Sequence, residues 1–272
     1  MRRLLALACI ALPLLFLGCA SVPNTADAEE ARIHYRAGMK YFQSGLFEKA
    51  LYNFDRAIAL DHGFADAYIG RGAVREETGE TERAIKDYSL AIGRVPDFYP
   101  GYFHRGRAYI VLEEYQKAIE DFNVAIRVRP EELEAYHHRA IAYDRLKMYD
   151  QSLRDYDTVI KTDPRFAKSL YNRGCVYTNL ELYDRAIADF NAFITLLPEN
   201  PEGYNRRGIA YARKSELKRA VRDFSRAIEL NPRYLEAYRN RAWAYDKLGL
   251  RDEARDDMIE VKRLDPKKVK EP

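Results

Sequence analysis

The sequence predicts an all-α solenoid, a rod of stacked helix-turn-helix units. Three observations predict it. From Ala31 the chain aligns on itself without a gap at a shift of 34, giving seven units that start at Ala31, Ala65, Tyr99, Leu133, Ala167, Pro201 and Leu235 and end at Lys268. Only small residues stand at unit position 8 (Gly38, Gly72, Gly106, Ala140, Gly174, Gly208, Ala242) and at position 20 (Ala50 to Ala254, with Ser152 in the fourth unit). Proline stands at position 32 in six units, from Pro96 to Pro266, with His62 in the first. A fixed period of this length marks a repeat architecture rather than ordinary globular domains.

Each unit (31–64, 65–98, 99–132, 133–166, 167–200, 201–234, 235–268) carries the same two elements. Large residues at positions 4 and 11 flank the small position 8, the step of one amphipathic helix; positions 20, 24 and 27 repeat that step for a second. Position 24 is Phe or Tyr in six units and Met258 in the last. Small residues at 8 and 20 let the two helices approach closely, and the aromatics fill the space around that contact. The proline closes the second helix. In the last unit the apolar positions 21 and 28 become Arg255 and Lys262, so the array ends there with a polar cap, and 269–272 read as a short solvated tail.

This pattern resembles the tetratricopeptide repeat (TPR) family over 238 of the 272 residues. The resemblance implies a right-handed superhelix whose concave groove holds an extended or helical segment of a protein partner. Two departures are the tyrosines that replace tryptophan at position 4 and the arginines that replace leucine at position 7. In the family the groove is lined by positions 2, 5, 9, 12 and 13. Here these give an apolar N-terminal stretch with Tyr35, Met39, Phe42, Ile69, Phe103 and Ile110 beside Arg107, and a polar, cation-rich stretch with His137, Arg145, Tyr171, Arg213, Arg239, Trp243 and Lys247. One reading is a partner with an apolar segment at the first end and acidic or amide groups at the second; the other is that the apolar side chains pack between helices. The subtype that clamps chaperone C-terminal carboxylates needs lysine at position 5 and asparagine at position 9, and no unit has either.

The seven units are their own comparison set for position 7. It is Arg71, Arg105, Arg139, Arg173, Arg207 and Arg241, but Ala37 in the first unit; position 23 is Asp87, Asp121, Asp155, Asp189, Asp223 and Asp257, but Asn53 in the first. The two positions change together, which predicts an ion pair between the helices of each unit. A phosphate-binding arginine ladder is the alternative, weakened by the carboxylates that would neutralise it.

The first residues have another character. Arg2 and Arg3 precede the apolar run Leu4 to Leu17, and small residues follow at 18–20, the layout of a secretory signal and too short to span a bilayer. Phe16-Leu17-Gly18-Cys19 resembles the bacterial lipobox. That resemblance implies cleavage after residue 18, lipid on Cys19, a polar tether over 19–30 and, with Ala20 next, an outer-membrane anchor on the periplasmic side. Ordinary signal cleavage after Ala20 or Ala28 is the alternative. Cys175 is then the one thiol without lipid in the mature chain, at a position that is Met, Ala, Ile or Trp in five of the other six units, so it reads as a packed apolar residue.

Loss of Arg2 and Arg3 leaves 43 basic against 42 acidic residues, which removes the electrostatic basis for nucleic-acid binding. No phosphate loop, dinucleotide fingerprint or serine-nucleophile motif occurs, and no two histidines have the four-residue spacing of a zinc protease helix. His104 and His138 share position 6 of neighbouring units and are a weak metal candidate. The expectation is a non-catalytic adaptor without cofactor or metal. Periplasmic TPR lipoproteins, which the chain resembles, organise cell-wall hydrolases and proteases; a pilotin-like role in pilus or secretion-pore assembly is the alternative.

Overall fold

In the computed structural model, residues 24–265 are described; Cys19 and the tail over 269–272 lie outside them. Fourteen helices follow one another in this range: α1 (Thr25–Gln43), α2 (Phe47–Leu60), α3 (Ala65–Glu77), α4 (Thr81–Arg94), α5 (Tyr99–Val111), α6 (Tyr115–Val128), α7 (Leu133–Arg145), α8 (Tyr149–Thr162), α9 (Ala167–Asn179), α10 (Tyr183–Leu196), α11 (Pro201–Arg213), α12 (Leu217–Leu230), α13 (Leu235–Lys247) and α14 (Arg251–Leu264). Odd-numbered helices are the first of each unit and even-numbered ones the second.

Each first helix ends the same way. The residue at position 15 takes a left-handed conformation, as glycine at Gly45, Gly79 and Gly249 and as a larger residue at Glu113, Lys147, Glu181 and Ser215. The next N–H then reaches back to the carbonyl at position 11, for example Glu80 to Arg75 at 2.7 Å and Glu114 to Tyr109 at 2.9 Å, a Schellman motif that satisfies a terminal carbonyl. This turn reverses the chain and lays the second helix on the first. That contact keeps position 8 small, and in five units the ring lies so close that glycine is needed there. A Cβ on Gly72 would meet Tyr88 at 2.4 Å, and one on Gly208 would meet Phe224 at 2.6 Å. The position-24 rings thus lie against the backbone of the first helix, fully buried in the first six units, each contributing about 2 kcal/mol of apolar burial.

Stacking uses position 3. It is small and buried in the later units (Ala67, Gly101, Ala135, Ser169, Gly203, Ala237), where it meets the second helix of the preceding unit. The first unit has Ile33 there, 55% exposed, with no unit before it. First helices also touch the first helix of the next unit, from α1 with α3 to α11 with α13, whereas no second helix contacts the next second helix among the described residues. The first helices therefore occupy the inner side of the curve.

Arginine at position 7 binds in two directions. Within its unit it donates to the position-23 aspartate at 2.6–3.2 Å in all six cases, through Nε and Nη2. Its Nη1 reaches position 25 of the preceding unit: Asp55 at 2.6 Å, Ser89 at 2.9 Å, Asn123 at 2.6 Å, Asp157 at 2.6 Å, Asn191 at 2.7 Å and Ser225 at 2.8 Å. In the first unit Asn53 pairs with His34 instead, at 3.0 Å.

Two details differ from the sequence-based expectation. The stretch 19–30 was expected as tether, but α1 begins at Thr25, because Asn24 caps it by accepting from the N–H groups of Ala26 and Asp27 at 2.8 Å each. The cap on the last unit is mixed rather than polar, since Met258 and Ile259 are 40% and 55% exposed beside Arg255 and Lys262.

Candidate functional site

The inner side of the curve carries positions 2, 5, 9, 12 and 13 of each first helix, and the two ends use them differently. In the first three units most of the apolar members are committed to packing. Met39 and Phe42 lie on the Ala50, Phe54 and Val74 cluster, and Tyr35 sits 5.0 Å from the Phe64 ring. Ile69 bridges two clusters, and Ile110 packs beside Ala118 and Phe122. Phe103 stacks on Tyr99 at 5.5 Å and meets His104 and His138 edge-on at 5.5 Å each. Arg107 remains exposed over the Phe103 ring, 6.0 Å from its centroid, and Val111 is open to solvent.

The middle of the array holds a histidine cluster. His137, expected on the groove, is 3% exposed and is removed from that surface: its Nδ1 lies 2.8 Å from Ser169 Oγ, and its ring packs at 5.3 Å from Phe166. His138 stacks on Phe122 at 5.9 Å, and His104 lies 5.6 Å from Tyr88 with a buried Nδ1 that has no partner. Burial, helped by Arg107, pushes His104 down to about 4; burial and Lys168 hold His137 at about 4; burial and the neighbouring His137 bring His138 to about 3. These rings are neutral, aromatic-like fillers, His104 and His138 at position 6 and His137 at position 5. No group of three or more metal-ligating side chains assembles among the described residues.

The open part of the groove lies farther along. A depression of about 720 Å³ spans α9, α11 and α13, floored by Cys175, Ile209 and Ala212 and bordered by Arg206, Arg213, Asn240 and Trp243. A second hollow of about 360 Å³ on the far side of Trp243 is bordered by Arg239, Asp246, Arg255 and Met258. Trp243, 48% exposed, is the ridge between them, and Lys247 Nζ stands 6.0 Å from its ring centroid. Tyr171 lines a separate hollow of about 270 Å³ with Lys168, Asn172 and Phe193, and its hydroxyl accepts a hydrogen bond from Arg206 Nε at 2.9 Å. Arg145 is exposed one unit back. Asn240 Nδ2 donates to Asn205 Oδ1 at 2.9 Å, and Asn205 Nδ2 in turn to Tyr234 Oη at 3.1 Å, which fixes the amides on this wall. Burial raises the Cys175 thiol to about 11, so it is an apolar floor residue and not a nucleophile at neutral pH.

Asn205 stands at the groove position 5, but Arg206 and Asn240 were not among the residues expected on the groove. Position 6 is His104 and His138 in the middle units but Asn172, Arg206 and Asn240 in the last three. That change from packed ring to long or amide side chain is the sequence signal for where the groove opens.

Among the described residues no helix is long and apolar enough to cross a membrane. Tetratricopeptide repeat models match the chain at residues 38–79, 99–132, 139–201, 201–234 and 235–268. A search of curated proteins returns no match. Among solved structures, a tetratricopeptide repeat protein from Parabacteroides merdae superposes with a TM-score of 0.70 at 18% identity, covering 88% of this chain and 95% of its own. The C-terminal part of a TPR repeat-containing protein from Cytophaga hutchinsonii gives 0.68 at 19% identity, covering 86% of this chain and 96% of that part. YrrB, described as a TPR protein with an unusual peptide-binding site, gives 0.57 at 22% identity, covering 68% and 95%. These likenesses show a common fold, and with the repeat matches spread along the array the chain belongs to the tetratricopeptide repeat family.

Proposed function

We propose that the protein is a lipid-anchored scaffold on the periplasmic side of the bacterial outer membrane, holding segments of cell-wall or proteolytic enzymes in its concave groove. The family is generally a non-catalytic interaction scaffold, and protein binding is the coarse function. The observation that carries the proposal is the open stretch of inner face at α9, α11 and α13, where Arg206 and Arg213 stand exposed beside an exposed tryptophan. A groove of this kind takes an extended segment at low cost, because its walls are set by the stacking of rigid hairpins and need no rearrangement on binding. The peptide-binding site described for YrrB is a precedent for such use of the fold. The address comes from Phe16-Leu17-Gly18-Cys19, with lipid on Cys19 as the membrane attachment.

Two experiments test the proposal. A photo-crosslinking amino acid at the exposed position 111 should trap peptidoglycan hydrolases or proteases in cells. Recovery of pilus or secretin subunits, with loss of pore multimers on gene deletion, would instead support assembly of those pores. Labelled palmitate should be incorporated and lost in Cys19→Ser; equal labelling of both chains would remove the anchor.

A further inference from the structure

The two hollows beside Trp243 say more about the partner than that it is a polypeptide. The six arginines at position 7, largely buried, each have an acidic partner. Arg206, exposed at the rim of the larger hollow, has none. It spends Nε on the Tyr171 hydroxyl, and its two terminal nitrogens have no acceptor among the described residues. Arg213, on the same wall, has no acceptor for its guanidinium, and Arg239 across the ridge has none either. The borders also include Glu181 and Asp246, so each hollow has two arginines against one carboxylate. A guanidinium with its terminal nitrogens free is a planar fork that matches a carboxylate bidentately. Between the arginines the hollow is mixed: Ile209, Ala212 and Cys175 supply an apolar strip beside Thr178 and Asn179, with the Trp243 ring at the side.

We infer that this stretch of the groove binds an acidic segment that carries one large apolar side chain, the apolar group lodging against Trp243 and Ile209 and the carboxylates pairing with Arg206 and Arg213. Arg206 and Arg213 are seven residues apart on α11, about 10 Å along the axis, which about three residues of extended chain span. The recognised segment therefore has acidic residues at about that spacing around its anchor. This specificity rests on the scaffold reading and names the chemistry of its ligand. It also places the apolar anchor at the C-terminal units, where the Trp243 ring is exposed, rather than at the N-terminal ones, where Met39, Phe42 and Ile110 are already packed.

The chain has a single tryptophan, so its emission reports on this site alone. The probe is a ten-residue peptide of glycine and serine with two glutamates three residues apart flanking one phenylalanine, acetylated and amidated so that no terminal charge contributes. Titration should give a saturable change in Trp243 emission. Replacing both glutamates by lysine should weaken binding at least tenfold, as should the double variant Arg206→Gln/Arg213→Gln, with unchanged circular dichroism. The double variant Arg154→Gln/Arg222→Gln, altering exposed arginines of second helices, should bind like the parent. No saturable change up to millimolar peptide, equal binding of the lysine peptide, or full binding by Arg206→Gln/Arg213→Gln would overturn the inference. Crosslinking from position 111 reads the scaffold separately: partners trapped there, with no acidic peptide bound here, would leave the scaffold standing and this specificity rejected.

Discussion

Replacing Asp121 by alanine should destabilise the array by about 3 kcal/mol, and replacing Asp189 by about 2. The two aspartates occupy the same unit position, and each accepts two hydrogen bonds from its own arginine, at 2.8 Å and 2.8 Å from Arg105 and at 2.8 Å and 2.7 Å from Arg173. Their carboxylates are 7% and 8% exposed. Removing one partner of such a buried pair costs about 3–5 kcal/mol, because a charge is left behind. The arginines are 20% and 17% exposed, so water recovers part of that cost and the lower end applies. The units differ in what remains. Arg105 keeps only the Ser89 hydroxyl at 2.9 Å, whereas Arg173 keeps the Asp157 carboxylate at 2.6 Å. The difference between the sites is about one charge-assisted hydrogen bond. Urea unfolding followed by circular dichroism measures both, and amide exchange in α5 and α6 locates the effect of the first. The apolar replacement Arg105→Met/Asp121→Leu should stay within about 1 kcal/mol of the parent, since no charge is stranded. The reasoning fails if Asp121→Ala costs under about 0.5 kcal/mol or if Asp189→Ala costs more than Asp121→Ala.

The histidine cluster sets an acid limit. The folded-state values of His104 and His138 are depressed to about 4 and about 3 by burial, so the unfolded chain binds more protons below about 6.5 and stability is lost as pH falls from there. The fall in melting temperature between pH 7.5 and 5.0 should be shallower in His104→Leu/His138→Leu; an unchanged slope in scanning calorimetry would contradict this. At the left-handed turns, Glu113→Gly and Lys147→Gly should each stabilise by about 0.5–1 kcal/mol, and Gly79→Ala should destabilise by about 1; opposite signs in urea titrations would refute the strain argument. Cys175, with Cys9 and Cys19 changed to serine, should react with a thiol reagent at pH 8 at least a hundredfold more slowly in the folded chain than in denaturant; fast native labelling would show the thiol open to the groove.

The fold is legible in this sequence because seven copies of one hairpin stand side by side, and packing constraints repeat with them. Gly38, Gly72, Gly106, Gly174 and Gly208 announce a ring lying on the backbone, and the joint change at Ala37 and Asn53 marks residues that face each other. The second acceptor of each arginine is harder to read, since it lies across a unit boundary. Its signature is nevertheless present: position 25 is Asp, Ser or Asn in six units and becomes Ile259 in the last. The helical start at Thr25 is carried by the cap residue Asn24 and by Asp27 in the first turn, which lie before the periodic stretch and so escape a self-comparison. The groove is the least legible part. His137 and Trp243 are both large residues expected on the inner face, but one is swallowed by Phe166 and Ser169 while the other stands free. Only the neighbours distinguish them.

The backward reach of each position-7 guanidinium has an evolutionary consequence. Every interior junction presents the same donor to an acceptor of the same kind, so whole blocks of 34 residues are exchangeable parts. Excising 133–166, for instance, would bring Arg173 to Asn123, which already receives Arg139 in the intact chain at 2.6 Å. Length can thus change by duplication or loss of a cassette without redesign of any seam, while the two terminal cassettes, one lacking the donor and the other the acceptor, record where the series begins and stops.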